Sequence, residues 1–184
     1  MAHINAVLWH DVVNECAAVA VGGFIRFWIY DTGASKWLLC ASSLRSDEEI
    51  ENCSQGLDLS TANGQVTTNE RATLSFGPRA WVLEDTPCVA PAVGMRDKGF
   101  SFVWLTGWAK PLIVDGKGRK VRVTLRGGVP IVTETEEGFI TDGSAAREIA
   151  DVKNFLLAAQ VVDEPKDVES AFFGPEEDGE YDMG

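Results

Sequence analysis

An all-β domain with hairpins, one short helix and a C-terminal helix is the architecture this sequence predicts, on three observations. Several stretches are rich in β-branched and aromatic residues, turn signals fall between them, and apolar residues recur at helical spacing after Ser144. Length sets the scale: 184 residues, 45% of them hydrophobic, suffice for one domain of ordinary size with a core and exclude a long disordered chain.

Residues 1–20 form an N-terminal segment whose start, MAHINAVLWHDVVNE, lacks the basic flank and continuous apolar stretch of a secretory signal. The first strand is expected over residues 21–30. The apolar run around it is interrupted by Gly22, Gly23 and Arg26 and is too short to cross a bilayer, so no membrane is expected as a partner. Ser46-Asp47-Glu48-Glu49 fits a capping box, a Ser hydroxyl and a Glu carboxylate three positions apart that satisfy each other's backbone donors, and predicts a short helix. Residues 57–74 read as two strand-like arms around Ala62-Asn63-Gly64, because Asn-Gly favours the primed turn that matches strand twist. Further strands are expected over residues 79–83, 100–105, 111–114, 120–125 and 129–133. Phe76-Gly77-Pro78, Asp115-Gly116-Lys117-Gly118 and Gly127-Gly128 supply the turns. These elements make residues 21–135 the main domain. Residues 136–162 hold the C-terminal helix, in which Ile149, Val152, Leu156 and Ala159 form one apolar stripe supported by Phe155.

Charge is unevenly placed. The net −12 argues against nucleic acid, whose binders need a basic footprint. Residues 163–184 hold nine acids against Lys166, a net of −8 that leaves −4 for the other 162 residues. With Pro165, Gly174, Pro175 and Gly179, this tail is expected to be solvated and disordered. Cys16, Cys40, Cys53 and Cys88 contain no C-x-x-C pair, and only His3 and His10 could join them, so no metal is expected. The thiols read as reduced fillers in an intracellular, cytoplasmic protein. No P-loop spacing occurs around Lys117.

One segment carries chemistry. The strand Phe24-Ile25-Arg26-Phe27-Trp28-Ile29-Tyr30 runs directly into Asp31-Thr32-Gly33-Ala34-Ser35, which places a carboxylate where a hydrophobic strand ends. Poor solvation raises a carboxylate's pKa, and a second carboxylate beside it raises one proton's affinity further, so that a pair can act as acid and base together. Gly33 fits a tight turn in which any Cβ would obstruct, and the Thr32 hydroxyl can pin the turn. The hairpin around Asn63-Gly64 follows, and then Ala92-Val93-Gly94, a hydrophobic pair with Gly.

Asp31-Thr32-Gly33-Ala34, a hairpin downstream and a hydrophobic-hydrophobic-Gly further on form, in that order, a pattern that resembles the retropepsin-like aspartic proteases. The likeness is closest to the proteases of copia-type retrotransposon polyproteins, through Trp28-Ile29-Tyr30-Asp31-Thr32-Gly33-Ala34-Ser35 and Thr61-Ala62-Asn63-Gly64. Trp81-Val82-Leu83-Glu84-Asp85-Thr86-Pro87, Val93-Gly94 and Gly99-Phe100-Ser101-Phe102-Val103-Trp104 resemble the second half of such domains.

The resemblance implies a closed, barrel-like β domain with a flap hairpin. It also implies a homodimer in which each chain supplies one aspartate, and it needs no cofactor. Asp31 would be catalytic, Thr32 would tie the two Asp loops together and Gly33 would contact the substrate backbone. Ala34, Ser35 and the flap residues Thr61, Ala62, Asn63 and Gly64 would bind an extended polypeptide substrate, and Val93 and Gly94 would line or brace the site. The chain holds no second Asp-Thr-Gly, and Asp182-Met183-Gly184 lacks both the hydroxyl and the strand. The pattern departs at Ser35 and Met95, where retroviral enzymes often carry a paired Asp and Arg; Arg96 with Asp97 is a shifted substitute. Two other readings remain: a retropepsin-like dimerisation or peptide-binding module with little or no proteolysis, and an unrelated β domain in which Asp31 only makes a turn.

Overall fold

A computed structural model describes residues 23–61 and 64–162. The N-terminal segment, Ala62, Asn63, Cys16 and the acidic tail lie outside the described residues. Two compact units are present, one ending at Ala146 and one beginning at Arg147.

The first unit is built on β1 (Ile25–Asp31), which is buried on both faces. Alternation sends Arg26, Trp28 and Tyr30 to one side and Phe27 and Ile29 to the other. Trp28 and Tyr30 join the large core with Leu39, Val82, Met95, Ile113 and Val132. Ile29 joins a smaller one with Val89 and Ile131. Such double burial suits a central strand, and β1 pairs antiparallel with β11 (Val129–Thr135) and parallel with β6 (Val89–Pro91).

The remaining strands are β2 (Leu38–Cys40), β3 (Ile50–Thr61), β4 (Gly64–Thr73), β5 (Arg79–Leu83), β7 (Ser101–Val103), β8 (Leu112–Val114), β9 (Arg119–Val121), β10 (Val123–Arg126), β12 (Gly138–Phe139) and β13 (Thr141–Ser144). The larger sheet runs β10-β11-β1-β6-β2-β5-β4-β3, with β12 on β11; a second sheet runs β13-β9-β8-β7. Phe100, Phe102, Ile113 and Val121 from the second sheet's region share the large core with Trp28. A row of edge-to-face aromatic contacts, Trp28–Trp37, Trp37–Phe76 and Phe76–Phe139, crosses that core at centroid distances of 5.4 Å each.

The all-β expectation is met in its coarse form, whereas the closed barrel is not found. The larger sheet is an open path whose end strands, β10 and β3, do not pair with each other. The short helix also lies elsewhere. Residues 46–47 form a turn, and the helix α1 is Ala92–Asp97. The capping logic operates one residue early and closes a single turn: Glu48 accepts the Arg45 N–H at 3.1 Å, and the Glu48 N–H donates to the Arg45 carbonyl at 3.1 Å. Glu48 is 6% exposed. Its carboxylate is drawn inward by Arg26, which leaves no helix face for it to cap.

The expected strand over residues 120–125 is divided at Arg122, whose N–H donates to Ile140, so that β9 and β10 enter different sheets. In the second unit α2 (Ala146–Val162) follows Ser144, whose hydroxyl accepts the Ala146 N–H. Phe155, Leu156 and Leu157 on α2 are exposed. Among the described residues, no helix is long and apolar enough to cross a membrane.

Candidate active site

β1 delivers Asp31 to the edge of the core. Tyr30, one position earlier, is 3% exposed and stacks on Phe102 at 4.8 Å, whereas Asp31 is half-buried and Thr32 and Gly33 are exposed. The chain reverses through an Asx turn: Asp31 Oδ1 accepts the Gly33 N–H at 2.7 Å and the Ala34 N–H at 3.2 Å. One oxygen is thereby fixed. Ala34 packs against Ile29, Val89 and Ile131 and anchors the loop, while Ser35 is exposed. At the loop's far side Trp37 is buried in the large core. The Asp31 carboxylate therefore sits on a turn held at both ends.

Gly33 needs a reason other than the expected one. Its φ is not positive, and an added Cβ would meet Asp31 Oδ1 at 3.4 Å, at the edge of ordinary contact. The turn itself does not demand glycine. The demand would come from whatever approaches this exposed backbone.

Parallel pairing of β1 with β6 sets Asp31 opposite Pro91, and α1 begins at the next residue. Val93 and Gly94 therefore lie in the first turn of a helix. Val93 is 41% exposed. Gly94 lies so close to the Trp37 indole Nε1 that a Cβ could not be accommodated. Thus Asp31, Thr32, Gly33, Ala34, Ser35, Val93 and Gly94 are gathered where β1, β6, α1 and Trp37 meet. Arg96 pairs with its own neighbour Asp97 at 3.0 Å, both side chains exposed, so this pair does not fasten the Asp31 loop.

The hairpin carries Thr61 and Gly64 at its tip, paired with each other in register. β4 pairs with β5 only from Arg71 to Thr73, and the Thr68 hydroxyl donates to the Val82 carbonyl at 2.8 Å. Beyond Thr68 the hairpin is a two-stranded ribbon. Leu57, Leu59, Val66 and Thr68 share one face, and Asp58, Ser60, Gln65 and Thr67 the other, where Thr67 donates to Asp58 at 2.7 Å. Among the described residues no hydrogen bond joins the tip to Asp31.

A buried charge network went unread in the sequence. Arg26, 1% exposed, donates from Nε and Nη2 to Glu134 at 2.9 and 3.1 Å and from Nη1 and Nη2 to Glu48 at 2.8 Å each. The Trp28 indole donates to Glu134 at 2.7 Å, and Arg45 comes within 4.0 Å of Glu134. Burial disfavours the Arg26 cation, but hydrogen bonds to Glu48 and Glu134 outweigh it and raise its pKa. For Glu48, burial pushes the pKa upward, and Arg26 with the Arg45 and Ser75 N–H groups more than reverses this, holding it below the ordinary value. The signal was available: Arg26 alternates with Trp28 and Tyr30, so it had to enter the core.

Among the described residues no group of three His, Cys, Asp or Glu side chains is placed to hold a metal ion. No protein-family model and no curated protein matches this sequence.

Proposed function

We propose that this chain is a retropepsin-like aspartic endopeptidase that acts as a homodimer and processes a retrotransposon polyprotein. The observation that carries the reading is Asp31. It ends a doubly buried strand, one carboxylate oxygen is held by two backbone N–H groups, and the residues that follow it are exposed. The adjacent first turn of α1, with Val93 and Gly94, supports the same reading. A single Asp-Thr-Gly supplies half of a dyad, so a second copy must supply the rest.

Two Asp31 carboxyls would hold a water between them. One, ionised, takes the water's proton as the oxygen attacks the scissile carbonyl, and the other, protonated, polarises that carbonyl. The hairpin tip would close over an extended peptide and exclude bulk water. Main-chain hydrogen bonds to the peptide give affinity, and pockets for alternate side chains give specificity.

The test compares cleavage of a peptide pool by wild type and Asp31→Asn from about pH 4 to 7, with oligomeric mass measured in parallel. Loss of about 100-fold or more in rate is expected for the variant. Equal cleavage by both proteins refutes the catalytic assignment, and a strict monomer that cleaves refutes the shared dyad. A folded dimer without activity identifies a binding module.

A further inference from the structure

The helix of the second unit leaves apolar surface in solvent. From Lys153 to Ala159 every side chain of α2 is exposed, and Phe155, Leu156 and Leu157 are 49%, 53% and 62% exposed. Most helical stability in proteins comes from burying one apolar face against a neighbour. A helix that holds three large apolar side chains in water lacks part of that packing, and such a patch marks an interaction surface.

The face carries a seven-residue repeat. Ile149 and Leu156 fall at position a of a heptad and Val152 and Ala159 at position d, the pattern of a two-stranded coiled coil. Ile149 and Val152 are half-buried, whereas Leu156 and Ala159 are exposed, so the stripe is open toward its C-terminal end. On the same repeat Glu148 falls at g and Lys153 at e, one on each flank of the stripe. In a parallel pair, g of one helix faces the e position five residues on in the other. Glu148 of each copy then meets Lys153 of a second copy, twice by symmetry. In an antiparallel pair g faces g and e faces e, and on this repeat no opposite charges meet. Arg147 and Lys153 balance Glu148 and Asp151, so two copies of α2 do not repel each other.

We propose that α2 is a homodimerisation element, which pairs in parallel with α2 of a second copy through Ile149, Val152, Leu156 and Ala159. The repeat and the flanking charges select this occupant. The stripe runs about 15 Å along the helix, and a partner must present apolar residues at the same spacing to fill it. Residues 163–184 offer one contiguous apolar run, Ala171-Phe172-Phe173, which does not match that spacing.

The orientation has a consequence. Parallel pairing joins the two helices at the ends where both leave Ala145, whereas antiparallel pairing would hold these ends about 25 Å apart. Only the parallel arrangement starts both helices from one place, as two chains that meet at Asp31 require. The inference deepens the homodimer of the proposed function, naming the element that holds it, and does not require that Asp31 be catalytic.

The test measures the mass of the full chain by sedimentation over a range of concentrations, for wild type and Leu156→Glu. Wild type should dimerise, and the variant should raise the dissociation constant by at least about tenfold. Ala159→Cys gives a second readout that removes no large side chain. Under mild oxidation of mixed isotope-labelled and unlabelled chains, its new thiol should join the same position of a second copy, as a parallel pair requires. Monomeric wild type, or a Leu156→Glu chain that dimerises as tightly as wild type, overturns the proposal. So does a new thiol that links only within its own chain or fails to join its equivalent. A Leu156→Glu chain that stays dimeric and cleaves peptides keeps the protease reading and refutes this one, and a dimer that depends on Leu156 without cleaving does the reverse.

Discussion

A single methyl group added at Gly94 would fall on the Trp37 indole, and Trp37 is where the Asp31 loop re-enters the core. The glycine is thus required by a packing contact between α1 and that loop, a different demand from the backbone freedom usually sought at a glycine. Gly94→Ala must move the indole or the helix, and overpacking of this kind costs about 1–3 kcal/mol. Chemical denaturation should show a lower midpoint with an unchanged slope. Gly33→Ala is the control: its Cβ meets only Asp31 Oδ1 at 3.4 Å, so its stability should stay within about 0.5 kcal/mol of wild type. A Gly94→Ala protein as stable as wild type would mean that Trp37 can turn aside freely.

Elements differ in how well they are supported, and so in how far sequence reveals them. β5, β8 and β11 were legible because their apolar residues are buried within the element. β2, β6 and β12, of two or three residues each, were not. Their pairing is imposed by neighbours such as β1 and β5, and so short a segment shows no period. The Ser46–Glu49 capping box misled because the turn is closed one residue earlier, by Glu48 on Arg45, with Glu48 also held by Arg26, a partner 22 residues away. Of the candidate site, the Asp31 turn was legible from the strand that precedes it, whereas the helical setting of Val93 and Gly94 was not. The hairpin carries its own prediction. Beyond Thr68 its strands pair, among the described residues, only with each other, and an isolated two-stranded ribbon is marginal in water. Backbone amides of Asp58 and Ser60 should exchange with solvent at least about 100-fold faster than those of Trp28 and Tyr30. Equal protection would show that the ribbon is covered in solution.

At the scale of the molecule, the Arg26 network joins places that the sheet order keeps apart. Glu48 stands just before β3 and Ser75 just after β4, while Arg26 lies on β1 and Glu134 on β11. The feet of the hairpin are thereby fastened to the central strand through one guanidinium. The fastening has an acid limit. The Glu48 pKa is held below the ordinary 4.5 in the folded chain, so the unfolded chain takes up its proton first as pH falls. Its contribution to stability is present above that ordinary value and is lost as pH drops through the lower, folded one. Glu48→Gln removes this dependence and leaves the Arg26 guanidinium with the Glu134 carboxylate and the Ser43 carbonyl. Breaking a buried pair from one side is costly, about 3–5 kcal/mol in comparable cases, so the variant should be clearly less stable than wild type at pH 7. Urea titrations at a series of pH values should then show the gap between the two proteins narrowing below pH 4.5, because only wild type still has a Glu48 proton to gain there. A gap that stayed constant down to about pH 3 would place the acid sensitivity of the fold in other carboxylates.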